Sequence, residues 1–468
     1  MLNLNKKTIL LFFYIIFIIA FQILNYELMS IVYAQPLQVN EEKSSYTLIT
    51  SKKAEGLIIS EINFEGNSRT SDDVIENNLD LNENEPFSSE KLRSSLQNLK
   101  NLQVFSKIDV TLYLDKNNKL IVQFDIDEKW TLLPYFLAGS GGGTSYLVLG
   151  LYETNFLGRL YTFNFTYGCK NDNCSTFVYF RNPSILGSPF NIVSYITKEH
   201  NIFHVYDHDR NILGSFSNQR DMVNLFTDIK ISPAFFIGLG VLYLNNEISE
   251  SGITASDVAN NKNRNYNVPP STSSLAFETR LTLGKINYDG LKADGLSYVT
   301  VLDTTAQGYP NEDDNYNSVN STLLFYRSNF DLGIIPLPKY TVFAMRSNIS
   351  ITSSDVTSQQ NFIGGLDKLR GFYDGEFSGK FSWYSNFELR IPSLVTEYIA
   401  FQHAFFSDVG YAADTFPDIF NKYTGVSVGT GIRILPLKIN RVALRFDYAY
   451  TLNPFNTFGF NFGLLQFF

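Results

Sequence analysis

The sequence predicts a mainly β protein: an antiparallel transmembrane β-barrel of about 16 strands, preceded by a small β-α-α-β-β module. Three observations predict it. Aromatic residues make up 15% of the 468, with 41 Phe and 28 Tyr, a load suited to strands that end among lipid headgroups. Mean hydropathy is only -0.07, because a spanning strand turns alternate residues to lipid and hides its membrane signal from an average. From Thr131 to Phe468, runs of alternating apolar and polar residues follow one another between Gly, Asn and Pro turns.

The chain opens with Lys6 and Lys7, then an apolar run from Ile9 to Phe21, and Val32 and Ala34 place small residues before Gln35. This reads as a signal peptide over 1–34; a retained helical anchor is the competing reading. No other apolar run approaches the roughly 20 residues a spanning helix needs. Residues 35–56 are polar and aperiodic, a linker. A net charge of -9 and a pI near 5.1 argue against nucleic-acid binding, which needs a basic face.

Residues 57–130 form the small module. LIISEINFEGN alternates as a strand and stops at Gly66-Asn67. SDDVIENNLD begins with a Ser–Asp cap pattern and reads as a short helix. Beyond Pro86, Leu92, Leu96, Leu99 and Leu102 fall at three- and four-residue spacing, an amphipathic helix. Two strands joined through Lys116-Asn117-Asn118 close the unit.

Residues 131–468 form the barrel. In FSWYSNFELRI the odd positions Phe381, Trp383, Phe387, Leu389 and Ile391 are apolar, and the even positions Ser382, Tyr384, Asn386, Glu388 and Arg390 are polar. In RVALRFDYAY, Val442, Leu444, Phe446, Tyr448 and Tyr450 share one face, with Ala443, Arg445, Asp447 and Ala449 on the other. Apolar-out and polar-in fits lipid outside and a wet lumen inside. A soluble sandwich also alternates, but needs neither the leader nor this aromatic load. Short connections such as NFLGR alternate with longer ones at 249–272, 311–318 and 354–380, as short inner turns alternate with long outer loops in such barrels.

Cys169 and Cys174 are the chain's two cysteines and fall in the second outer connection. Export to an oxidising compartment favours a disulfide, closing a hairpin tip for roughly 2 kcal/mol; a metal clip competes, without a His or second Cys pair nearby. Two patterns carry no chemistry. Gly425-Val426-Ser427-Val428-Gly429 spells G-x-S-x-G, but its serine lies mid-strand with no helix following. His200, His204 and His208 share a strand face, yet stand about 13 Å apart per step, too far to meet one ion. No catalytic residue, cofactor or metal is predicted. The glycine-rich stretch 139–143 reads as the first outer turn and a weakly paired first strand.

The module resembles a POTRA domain, on Phe64-Glu65-Gly66-Asn67, the Leu102–Phe105 turn and Glu128. In that family an exposed strand edge pairs with client chains; a spacer that only orients the barrel is the alternative. The barrel resembles the BamA/TamA superfamily of bacterial surface-antigen proteins, which includes two-partner secretion transporters. Leu369-Arg370-Gly371-Phe372 matches the aliphatic-Arg-Gly-aromatic motif of the family's sixth outer loop, and Phe406, Asp408 and Gly410 match its F-x-D-x-G pattern. The resemblance implies that this loop folds into the lumen, with Arg370 against Glu388 and Asp408. Phe458, Phe460, Phe462 and Phe468 stand as the terminal-strand signal. The resemblance further implies a bacterial outer-membrane barrel, with its POTRA-like module in the periplasm, that inserts other barrel proteins. Its partners would be outer-membrane lipids, unfolded outer-membrane protein clients, and periplasmic or lipoprotein accessory subunits. A translocation pore and a surface antigen or porin without assembly work are the alternatives. The main departure is one POTRA-like module, where assembly factors carry several and two-partner transporters carry two plus a plug helix.

Overall fold

The computed structural model describes residues 47–115, 118–141, 144–309, 315–330, 337–420, 422–439, 443–454 and 456–463. The signal-peptide segment and Phe468 of the terminal signal lie outside the described residues.

The N-terminal module begins with β1 (Thr47–Leu48) and one helical turn, α1 (Ser51–Ala54). Then come β2 (Ile59–Glu65), α2 (Asp72–Glu76), α3 (Ser89–Asn101), β3 (Phe105–Leu114) and β4 (Leu120–Glu128). The sheet order is β1-β3-β4-β2, with β2 parallel to β4. Part of the stretch read as linker therefore belongs to this sheet: Thr47 and Leu48 pair with Leu114 and Tyr113, and Ala54 enters the core. Two residues are too few to show alternation, so the sequence pattern could not mark this strand. Leu99 of the leucine stripe is buried with Ile59, Ile75, Leu120, Val122 and Phe124. The Ser88 side chain caps α3 by accepting from the Glu90 amide.

The barrel strands follow: β5 (Leu132–Gly141), β6 (Thr144–Phe156), β7 (Tyr161–Lys170), β8 (Asn173–Asn182), β9 (Ile192–Tyr206), β10 (Ile212–Ser232), β11 (Phe235–Ser249), β12 (Thr272–Asp289), β13 (Lys292–Tyr309), β14 (Asn317–Ser328) and β15 (Val342–Thr352). A small hairpin, β16 (Asn361–Ile363) and β17 (Phe377–Gly379), interrupts them inside a loop. They resume with β18 (Phe381–Val395), β19 (Ile399–Ala413), β20 (Gly425–Pro436), β21 (Leu444–Asn453) and β22 (Phe458–Gly463). All but the hairpin join one closed sixteen-stranded antiparallel barrel, in which β22 returns to β5.

The pleat sorts side chains as the alternation requires. Leu147, Leu149, Leu239 and Phe277 stand outward and exposed, whereas Asn224, Glu278, Asn386, Asp408 and Arg433 are buried. At the end bearing the module the connections are mostly short, such as 233–234 and 290–291. The far end holds the long loops 250–271, 353–380 and 414–424, but 171–172 and 454–457 are short, so length alone does not mark the side. Cys169 and Cys174 oppose each other across β7 and β8 and form a disulfide. Strand β10 begins at Ile212, before its pairing with β11 starts at Ser217. Its bare edge is covered by a loop helix, α4 (Ala255–Asn263). Asn261 accepts from the Ser215 amide and donates to the Ser215 carbonyl, and Asn260 donates to the Ile212 carbonyl. A strand edge left open would invite foreign pairing.

The module is fastened across the barrel mouth on two sides, and Trp130 at its end donates its amide to the Lys438 carbonyl. On one side Glu128 accepts from the Arg69 and Thr70 amides and the Thr70 hydroxyl. Asn155 of β6 donates to that hydroxyl, the Ser71 amide donates to the Gly158 carbonyl, and Arg159 ion-pairs with Asp73. Gly158 has φ +69, and a Cβ there would sit 2.1 Å from the Arg69 carbonyl oxygen. On the other side α3 meets the β12–β13 turn. Gln97 donates to the Tyr288 carbonyl, Asn101 accepts from the Tyr288 amide, and Lys100 stands 3.1 Å from Asp289.

Candidate functional site

Loop 353–380 leaves β15, turns inward through the β16–β17 hairpin and a helical turn, α5 (Gly365–Lys368), and places its tip inside the barrel. Leu369, Arg370 and Phe372 are each 0% exposed. Leu369 and Phe372 join Ile363, Phe377, Tyr384, Tyr411 and Ala412 in an apolar cluster. Gly371 has φ +92, a left-handed conformation that favours glycine, and its carbonyl accepts from the Thr457 hydroxyl at 2.7 Å.

Arg370 is the centre. Its Nε and one terminal nitrogen donate to the two Asp408 oxygens, each at 2.8 Å. Its other terminal nitrogen donates to Glu388 Oε2 at 3.2 Å and stands 3.6 Å from Asp447 Oδ2. Its backbone amide donates to Asp408 as well, at 3.1 Å. The guanidinium lies 3.4 Å above the Phe406 ring, so the aromatic of the F-x-D-x-G pattern is its shelf. Burial alone would disfavour the cation, but Asp408, Glu388 and Asp447 together hold its pKa above the ordinary arginine range. A planar fork suits such paired carboxylates in a way an ammonium does not.

Strand neighbours complete the network. Arg433 donates to Asp447 at 2.6 Å and to Glu388 at 3.1 Å, and Arg390 donates to Glu388 at 2.9 Å. Arg445 stands 3.5 Å from Asp447. Four arginines thus share three buried carboxylates. The alternation marked Glu388, Arg390, Arg445 and Asp447 as lumen-facing, but Asp447, Arg433, Arg390 and Arg445 were not read as partners. Their meeting depends on strand register, which no local pattern carries. Three glycines of β20 make room: a Cβ at Gly425, Gly429 or Gly431 would fall 2.9 Å from Phe372, 2.1 Å from Phe406 or 2.1 Å from Asp447. Those at 425 and 429 are the glycines of the G-x-S-x-G pattern.

A second set of anchors holds the rest of the loop. Arg210, from the β9–β10 connection, forks onto both Glu376 oxygens at 2.7 and 2.8 Å and stacks on Tyr373. Lys170, beside the disulfide, ion-pairs with Asp374. Arg346 and Asn386 donate to the carbonyls of Asp367 and Lys368, each at 2.8 Å. His200 meets Ser217 and His204 meets Ser215, away from the Arg370 network, while His208 stacks on Tyr423 and hydrogen-bonds Tyr411 at 3.2 Å at the edge of the loop's apolar cluster.

The barrel seam is the second feature. Among the described residues, strand β22 pairs with β5 over 459–463 against 137–141, with glycine at 139, 141, 459 and 463. Outside, Phe462 joins Phe136 and Phe446, while Phe458 and Phe460 stand exposed on the same strand. Inside, the Tyr146 hydroxyl donates to Asn461 at 2.7 Å.

Residues 57–129 match the POTRA family, described as a surface antigen variable number repeat, and residues 155–468 match the Omp85 superfamily domain. No curated protein matches the sequence. Among solved structures, BamA from Haemophilus ducreyi lacking POTRA domains 1–3 is similar at 15% identity and a TM-score of 0.52, over 87% of this chain and 84% of that one. CdiB from Acinetobacter baumannii is similar at 13% identity and a TM-score of 0.57, over 87% and 74%. CdiB from Escherichia coli is similar at 12% identity and a TM-score of 0.59, over 88% and 76%. At these identities the likeness is one of fold.

Proposed function

The chain belongs to the Omp85 superfamily, and from that membership we propose that it inserts other β-barrel proteins into the bacterial outer membrane. The observation that carries the reading is the glycine-rich seam between β22 and β5. Backbone groups unpaired in hydrocarbon cost several kcal/mol each, so a seam opens there only if another strand takes over its hydrogen bonds. An unfolded client supplies that strand. The client's own closure and burial of apolar surface drive the step. No chemical reaction is assigned to the chain. The loop tip fixed by Arg370 keeps the lumen wall in register while the seam exchanges.

The test is a reversible lock. Ala138 and Phe462 are registered partners, so Ala138→Cys with Phe462→Cys allows a disulfide across the seam. Oxidised cells should stop inserting newly made barrels, reductant should restore insertion, and each single variant should behave as the parent. Normal insertion through a fully oxidised seam would refute the reading.

A further inference from the structure

We propose that the loop between β19 and β20 seats in the outer leaflet of the membrane, with its Phe416 and Phe420 rings among the acyl chains just beneath the headgroups. This rests on the membrane reading of the barrel wall and adds a loop to it. Residues Phe416–Ile419 form one 3-10 turn. Phe416 is 57% exposed and Phe420 65%, so neither ring is buried in the protein. Instead both extend the outer wall. Phe416 lies 6.0 Å from Phe381 and Phe420 lies 5.3 Å from Trp383, centroid to centroid, and the two loop rings meet edge-on. Phe381 and Trp383 belong to the apolar row of β18 whose alternate neighbours, Ser382, Tyr384, Asn386 and Glu388, are buried. The loop aromatics are therefore continuous with the surface that faces lipid.

The anchoring suits a dry setting. The Trp383 indole N–H donates to the Ile419 carbonyl at 2.9 Å, and Ile419 is buried beneath the turn. The one polar atom of Trp383 is thus satisfied by the protein, which leaves its ring free to sit away from water. The loop's polar groups lie elsewhere. Asp414, Asp418 and Lys422 line a cavity of about 540 Å³ at the barrel's far mouth, together with Tyr423 and His208. An apolar edge toward the wall and a polar edge toward the mouth is the arrangement of an interfacial segment.

Site-directed spin labelling tests this. Cys169 and Cys174 are disulfide-bonded, so an introduced cysteine is the only thiol. Phe420→Cys, Phe416→Cys, Asp418→Cys and Leu239→Cys are each labelled with a nitroxide. The full chain is placed in phosphatidylethanolamine–phosphatidylglycerol vesicles, and folding is checked by heat-modifiable gel mobility. Labels at 416 and 420 should collide more with dissolved oxygen than with a water-soluble nickel chelate, at a shallower depth than the label at 239. The label at 418 should favour the chelate. Chelate access at 416 and 420 equal to that at 418, with 239 still in lipid, would overturn the loop proposal alone. Chelate access at 239 as well would overturn the membrane reading beneath it.

Discussion

Truncating Arg370 should release the loop from the lumen. In Arg370→Ala, Glu388 keeps Arg390 at 2.9 Å and Arg433 at 3.1 Å, and Asp447 keeps Arg433 at 2.6 Å. Asp408 fares worse. It is 0% exposed, and among the described residues its donors are the backbone amide of residue 370 and the two guanidinium nitrogens that would be lost. A buried charge stripped of its partner costs about 3–5 kcal/mol. At 1.4 kcal/mol per tenfold, the docked-to-released ratio of the loop falls by roughly a hundred- to a few thousand-fold. Arg370→Lys should cost less but still loosen the loop, because one ammonium cannot span both carboxylates. Arg370→Ala combined with Asp408→Asn should recover part of the loss, since the orphan charge is gone. Chymotrypsin cleavage beside Phe372 and Tyr373 in the folded barrel reads the released fraction directly. Wild-type resistance in Arg370→Ala, or a double variant cut faster than the single one, would refute this account.

The other anchors make separate predictions. Burial raises the Glu376 carboxyl above its ordinary pKa even with Arg210 beside it. A raised acid contributes full stability below its unfolded pKa and loses it as pH rises through the folded one, so Arg210→Ala should expose Tyr373 and Phe377 to protease more at about pH 8 than at about pH 5. Cys169→Ser with Cys174→Ser should lower barrel stability by about 2 kcal/mol, and reductant should do the same to the wild type, both read from the unfolding midpoint.

Much of this architecture was legible because alternation is local. The parity of FSWYSNFELRI put Glu388 in the lumen, and the leucine spacing of α3 placed Leu99 in the module's core. The loop tip was legible through resemblance, since its R-G-F centre says nothing of where a 28-residue loop folds. What the pattern could not carry is pairing at a distance. Arg210 meets Glu376 across 166 residues, and Arg433 meets Glu388 across 45; both depend on register and barrel closure. Strand β1 was missed because two residues cannot alternate. The edge-capping role of Asn260 and Asn261 was missed because it answers a β10 overhang that exists only once strand lengths are known. Glu128 was noted for its position alone, and its work as acceptor for the 68–70 loop follows from the fold.

Depletion tests the assembly function most directly. Expression of this protein is shut off, and every other barrel protein of the outer membrane is quantified as pre-existing copies dilute. A general insertion role predicts a broad fall in folded barrels, with unfolded barrel chains accumulating in the periplasm. Loss of one exported protein, with the other barrels unchanged, would instead mark a dedicated translocation pore, and an unaltered outer membrane would contradict both.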